Sequence, residues 1–550
     1  MNYIPLAARI FLSLIFFNAA ISHLTGFSEF VELIGSQGLP LASLLAIGTI
    51  VFQFLGAVFL VLGYKINIGS ILLIIFLIPA TVLFHNPIAD PSQLNDFLKN
   101  IGLIGGLLML IYAGSGALSI DGKKKDYLTK GGSKPKIVVV GAGFAGLRAV
   151  KRLSDVDASV LLIDRYNYHT FIPMLYQVAT GYIEPELIAY PIRKALRNIS
   201  NADFLMAEVE QIDPDNKTLI ADGRTIAYDY LVLSTGSQAN FLGVSGAPKF
   251  TFPLRTLENA VVLRNHILSC FERAVKHLDN NSLKEQLLTF VIVGGGPTGV
   301  EMAGALQELI RDCLVKDYPQ LDLHSSKVIL LQSGSSLLGS YPQHLQKYTV
   351  RALRDRGVKV HFDNRVEKTS ATEVVLQDGT KIPTATIVWT AGVEASFPEP
   401  KAEVPTASKN KVEVLDTLQL PKHPHVYAVG DVAYVEQNGE PLVGIAPEAL
   451  QQGGMVAENI ERQLKKKAPQ AFDYFNKGRA AIIARNAGVI LLLGKIPLGG
   501  VLGWLMWLGI HLYYLPGISN RSKVLGAWLK DYLRRDRSVR QVYSHVSSDR

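Results

Sequence analysis

Cysteine is almost missing from this sequence. The 550 residues include two, Cys270 and Cys313, and no C-x-x-C. A redox dithiol and a cysteine-ligated zinc site are therefore both excluded, and the two thiols read as helix packing. Nor is there a large excess of charge of one sign: 55 Lys and Arg against 47 Asp and Glu leave a net +8. Many basic residues lie beside apolar segments, as in KKK (123–125) and LRRDRSVR (533–540). That arrangement fits an anionic membrane surface and argues against nucleic acid as a partner.

Long apolar runs are present, but unevenly. Four open the chain, at about residues 4–24, 41–63, 68–84 and 101–117. Each approaches the ~20 residues that cross a bilayer as a helix. A secretory signal competes for the first, given Arg9, Ala19 and Ala20, but three further spans favour an all-α transmembrane domain. The first and third loops carry acidic residues and the second Lys65, and DGKKK follows the fourth span. The positive-inside rule then puts the N-terminus, the second loop and everything after residue 120 in the cytoplasm. Gly102 and Gly106 read as close helix packing. His23 and His85, near the outer face, read as interfacial hydrogen bonding, and no metal is assigned. The polar stretch 121–135 reads as a basic linker.

After it comes KIVVVGAGFAGLRAV, residues 136–150. A buried strand ends in Gly141, Gly143 and Gly146, spaced G-x-G-x-x-G, at the turn into a helix. The first glycine permits the turn, the second admits a pyrophosphate, and the third lets helix pack on strand. The helix N-terminus offers N–H groups to the phosphates. A second strand ends at Asp164, at the distance where a carboxylate accepts from ribose hydroxyls. FVIVGGGPTGVEMAGAL, residues 290–306, repeats the pattern with Gly294, Gly296 and Gly299. Here the strand end, in VILLQSGSS (328–336), carries Gln332 instead of an acid. Two such units predict two nucleotides on two Rossmann-like domains. Two further apolar strands end in small-residue turns, YLVLSTGS (230–237) and VYAVGDVA (426–433). Asp431, after Gly430, can bind polyol hydroxyls, with a helix N-cap as its alternative.

These four motifs, in this order over about residues 136–460, resemble the two-dinucleotide-binding-domain flavoproteins. The resemblance implies FAD on the first loop, lined by Thr235 and Gly236 with Asp431 on the ribityl chain, and a nicotinamide nucleotide on the second. Without cysteines beside the flavin the disulfide reductases are removed. RYNYHTFIPMLYQVATG (165–181), TIVWTAGV (386–393) and APEALQQG (446–453) resemble stretches of type II, non-proton-pumping NADH:quinone oxidoreductases of respiratory membranes. In the last, Pro447 replaces the first glutamine of the family's A-Q-x-A-x-Q, while Gln451 and Gln452 stand on the quinone side. The four apolar spans, with LIPATVLFHNP (77–87), resemble the DoxX-like membrane proteins.

The expected fold is therefore α/β, with two Rossmann-like domains preceded by four transmembrane helices and followed by a membrane-associated helical segment. The expected boundaries are 1–120 (DoxX-like), 121–135 (linker), 136–257 and 401–475 (FAD-binding), 258–400 (NAD(P)H-binding), and 476–550 (amphipathic, membrane-anchoring helices). The expected reaction passes a hydride from NADH to FAD and two electrons to a membrane quinone. Gln332 leaves NADPH open as a second donor, since the charge that repels a 2′-phosphate is missing. Glu301 is the expected carboxylate beside nicotinamide and quinone, with pairing inside its helix as the alternative. His169 is read as a flavin contact or as packing. The apolar, aromatic stretch 499–517, followed by basic residues, is expected to lie in the interface of the inner membrane as a helical hairpin. A homodimer is compatible with the sequence. Two other functions stay open: an NAD(P)H reductase of another carrier, and a transporter or sensor regulated by nucleotides.

Overall fold

In the computed structural model, residues 3–116, 118–120, 134–537 and 539–542 are described. All but the last two residues of the predicted linker lie outside them. The chain divides into two compact units, 1–126 and 127–550.

Among the described residues of the first unit, four helices are long and apolar enough to cross a membrane: Ile4–Thr25, Ala42–Leu62, Ile66–Phe84, and Pro91–Ala113, which opens with a short 3-10 turn. The last begins well before the expected residue 101. Asp90 accepts the Ser92 N–H at 3.0 Å and starts the helix there, so the mostly polar stretch 95–100 falls within its first turns. Gly114, at φ +78°, ends it. The first loop holds a further helix, Phe27–Ser36, which its length and flanking glycines hide in the sequence. Close helix packing falls at Gly56 and Gly69, where an added Cβ would meet Leu73 at 2.6 Å and Phe59 at 2.7 Å, and at Gly106, where it would meet Leu12 at 3.3 Å, whereas Gly102 faces open space. Arg9 is buried and satisfied by main-chain carbonyls: Leu60 and Val61, at the C-terminal end of the Ala42–Leu62 helix, and Leu118. His23 and His85 are hydrogen-bonded to Gln53 and Gln93.

The second unit holds two parallel sheets. In the first, Ala202–Met206, Ser159–Asp164, Lys136–Val140, Tyr230–Leu233 and His423–Ala428 lie side by side, with Gln419–Leu420 antiparallel at the edge. The strand His423–Ala428 pairs parallel to Tyr230–Leu233 and so joins the late segment to the early one. The second sheet runs Phe252–Pro253, Thr386–Trp389, Thr289–Val293, Lys327–Leu331, Lys359–His361, all parallel. Their central strands are continuous apolar runs, as expected of strands covered on both faces.

The span 476–550 does not begin with helix. It opens with an antiparallel meander, Gly478–Ala484, Ala487–Leu492 and Ile496–Gly499. Two helices follow, Gly500–Tyr514 and Ile518–Arg534, referred to below as the foot. At ~1.5 Å per residue the first is too short to cross a bilayer. Both expose apolar side chains, among them Leu502, Leu505, Leu529 and Leu533. The basic tail after them is not all on the surface. Arg537 is buried, and Arg540 pairs with Asp317 and Asp536, both at 2.9 Å.

Candidate active site

The two glycine loops are built alike, down to single hydrogen bonds. Val140 pairs with Ile163, and Val293 with Leu331. The next N–H on each loop, Gly141 and Gly294, donates to the carbonyl of that partner at 2.7 and 2.8 Å. One residue on, the Ala142 N–H donates to Asp164 Oδ2 at 2.6 Å and the Gly295 N–H to Gln332 Oε1 at 2.9 Å. Gln332 thus stands on the second loop where Asp164 stands on the first. The third glycines match too: a Cβ on Gly146 or Gly299 would lie 1.9 Å from the carbonyl oxygen of Gly141 or Gly294. The middle glycines, Gly143 and Gly296, have no neighbouring atom closer than 3.9 Å beyond their Cα, which leaves a cradle above each helix N-terminus.

Around the first loop, the residues fit a flavin nucleotide. His169 is buried, donates from Nδ1 to the Ala142 carbonyl at 2.8 Å and packs edge-on to Phe144. Burial lowers its pKa to about 4, so it is neutral. The Thr235 hydroxyl is buried with no partner among the described residues, beside Gly236 at φ +76°. Asp431 accepts from Ser237 Oγ at 2.6 Å and pairs with Arg255 at 3.3 Å. It does not cap a helix, because the next long one starts only at Ala446.

Glu301 lies in the helix Pro297–Glu308, one turn beyond the second loop. It lines a cavity of about 330 Å³. The walls come from Tyr176 and Gln177 of the first domain, from the meander at Ile482, and from the foot at Trp504, Leu508 and Trp528. Burial pushes the Glu301 carboxyl up to about 8, against the opposing pull of N–H donors from Ile482 and Trp507. At neutral pH the group therefore carries its proton. Farther round the cavity, Glu308 accepts from the Arg485 N–H at 2.7 Å and from the Tyr182 hydroxyl at 3.2 Å. Arg537 stacks on Tyr182 at 3.6 Å and donates to the carbonyls of Thr180 and Ala305.

Gln451 and Gln452 are not brought to this cavity. Gln451 Nε2 donates to the Phe475 carbonyl at 2.9 Å, and its Oε1 accepts the Phe475 N–H at 3.0 Å. Gln452 Oε1 accepts the Gly430 N–H at 2.6 Å, beside Asp431. Reasoning from sequence did not single out Tyr176, Gln177, Trp528 or Arg537, and it treated Trp507 only as part of an anchor. Tyr176 and Gln177 lie inside the 165–181 motif, which was the available signal for them. The rest had none, because their partners lie hundreds of residues away. Among the described residues, no group of three or more His, Cys, Asp or Glu could hold a metal ion.

The sequence model of the pyridine nucleotide-disulphide oxidoreductase family matches residues 135–453, and that of the DoxX family residues 4–86. A type II NADH:quinone oxidoreductase of Mycobacterium tuberculosis is 34% identical over 415 residues, 72% of this chain and 88% of that one. A type II NADH:quinone oxidoreductase of Staphylococcus aureus is 29% identical over 380 residues, 67% of this chain and 92% of the other. The solved structure of NDH2 from Plasmodium falciparum in complex with NADH superposes with a TM-score of 0.67 at 18% identity, over 72% of this chain and 98% of that one.

Proposed function

The chain belongs to the type II NADH:quinone oxidoreductase family, and from that premise we propose that it oxidises NADH and reduces a membrane quinone, with FAD as its resident cofactor. When bound, a flavin supplies the two-electron chemistry that side chains lack. The first loop, Asp164, Thr235, Gly236 and Asp431 hold it. The second loop and Gln332 hold the nicotinamide nucleotide, and Gln332 admits NADPH as well. His169 braces the first loop from below through Ala142.

The observation that carries the quinone reading is the cavity beside Glu301. Aromatic and apolar side chains make up most of its lining, which suits a flat neutral head group better than a protein carrier. Balance requires one proton from the protein or solvent: NADH, H⁺ and quinone give NAD⁺ and quinol. Glu301, protonated at neutral pH and facing the cavity, is the donor. Gln451 and Gln452 act one step back, holding the Phe475 main chain and Gly430 in place.

Four helices of the first unit cross the inner membrane, and everything after residue 120 lies on its cytoplasmic side, in keeping with the positive-inside rule. The foot lies in the interface and opens the cavity to lipid-dissolved quinone. The test is steady-state NADH oxidation by the full chain in liposomes, offered either a lipid-tailed quinone or reducible protein carriers. The expected result is turnover with quinone alone. Turnover with a protein carrier alone would favour a soluble-carrier reductase, and no turnover with either would favour a nucleotide-regulated membrane protein.

A further inference from the structure

We propose that the foot is part of the reaction site, because Trp507 fixes the Glu301 carboxyl so that Oε1 is held as an acceptor and Oε2 presents the transferable proton to the quinone. The inference rests on the reading of Glu301 as the proton donor. Two N–H groups meet on the same oxygen: the Ile482 main-chain N–H and the Trp507 indole both lie 3.2 Å from Glu301 Oε1. An indole N–H can only donate, so Trp507 cannot take the proton. A neutral carboxyl between two such donors keeps its hydrogen on the other oxygen. The direction of proton transfer is thereby set before any quinone arrives.

The indole has little freedom to leave. Trp507 is fully buried, stacked on His511 at 3.7 Å and edge-on to Tyr176 at 6.2 Å. His511 bonds through Nδ1 to the Trp507 carbonyl at 2.8 Å. The second foot helix makes a parallel contact: Trp528 Nε1 donates to Gln177 Oε1 at 2.9 Å. Each foot helix thus bonds a side chain of the catalytic unit through one indole N–H, Trp528 from the cavity lining and Trp507 from a fully buried position outside it.

The other titratable groups near Glu301 do not compete. Burial keeps Tyr176 and Tyr341 protonated and His511 neutral. The charged residues of the far wall are paired, Arg485 with Asp531 at 3.0 Å and Arg537 with Glu308 at 3.5 Å.

The test is Trp507→Phe in the full chain, read by the infrared C=O band of the protonated carboxyl that disappears in Glu301→Gln. Losing a donor to Oε1 should raise the frequency of that band and raise its titration midpoint by about one pH unit, the equivalent of one hydrogen bond. The alkaline limb of quinone reduction should move with it, and turnover should fall about tenfold. Added to Glu301→Gln, the same substitution should do nothing more to the pH profile. If Trp507→Phe does not retain flavin, benzothienylalanine at 507 keeps the ring shape without the N–H and carries the same expectation. An unchanged band and midpoint, in a protein whose band still vanishes with Glu301→Gln, would reduce Trp507 to packing and leave the Glu301 reading standing. If Glu301→Gln itself leaves turnover and band intact, the reading of Glu301 falls and this inference falls with it.

Discussion

Replacing Gln332 by Glu should turn a permissive nucleotide site into a selective one. Gln332 ends the strand Lys327–Leu331 as Asp164 ends Ser159–Asp164, and both accept an N–H from their glycine loop. A glutamate keeps that acceptor, so the loop should hold its shape. What changes is one negative charge beside the adenosine ribose. At ~5 Å and an effective dielectric of ~20, its repulsion with one charge of a 2′-phosphate is ~3 kcal/mol. Position 332 is only half-buried, and screening by solvent brings that down to about 1–2 kcal/mol, or roughly fivefold to thirtyfold in kcat/KM. The wild type should use NADPH within about tenfold of NADH, since Ser333, Ser335 and Ser336 can donate to a phosphate but the turn has no Arg or Lys. The assay is kcat/KM for both nucleotides with a fixed quinone, before and after the substitution. The expected change is mainly a raised KM for NADPH. A wild type that already rejects NADPH about a thousandfold, or a variant with an unchanged ratio, would refute the assignment of Gln332 as selector.

Four other outcomes follow from the same structure. Glu301→Gln should keep flavin, slow quinone reduction by roughly 10²-fold and abolish the decline that the wild type shows as pH rises through about 8, where the acid form is lost; a pH profile identical to wild type would make Glu301 structural. Ending the chain after Gly499 keeps the meander and removes both foot helices, and should spare flavin binding while abolishing reduction of long-tailed quinones; full activity in that variant would mean the foot is dispensable. Gly299→Ala puts a Cβ 1.9 Å from the Gly294 carbonyl oxygen and should abolish NADH oxidation with flavin content retained, whereas Gly146→Ala should lose the flavin, both read by absorbance. Arg537→Ala removes the buried cation from Glu308 and leaves Asp531 with Arg485 alone, and should cost about 3–5 kcal/mol, visible as a lowered Tm; an unchanged Tm would show that the tail does not hold the cavity wall.

The nucleotide sites were legible because their chemistry is local. A buried strand, three spaced glycines and a residue at the next strand end follow one another along the chain, and the equivalence of Asp164 and Gln332 follows from their place at that strand end, although they lie 22 and 37 residues beyond the loop N–H each accepts. The far side of the site was not legible, for a different reason. Glu301 meets Trp507 across 206 residues of sequence, and no periodicity encodes such a contact. Composition reports that Arg537 is basic but not that it is buried under Tyr182. The meander at 478–499 merged with the apolar foot because its strands are short, and its glycines and proline resemble loop punctuation. The fourth membrane-capable helix starts earlier than expected because its opening turns are mostly polar, and a hydropathy reading finds only its apolar part.

The central claim, that this chain moves electrons from NADH to quinone on one flavin, is tested most directly by anaerobic titration of the purified full-length protein. NADH should bleach the absorbance of a bound flavin, and a lipid-tailed quinone added afterwards should restore it, with one quinone consumed per NADH. A protein that binds no flavin, or whose flavin is bleached by NADH and stays so until a protein carrier is added, would contradict the account.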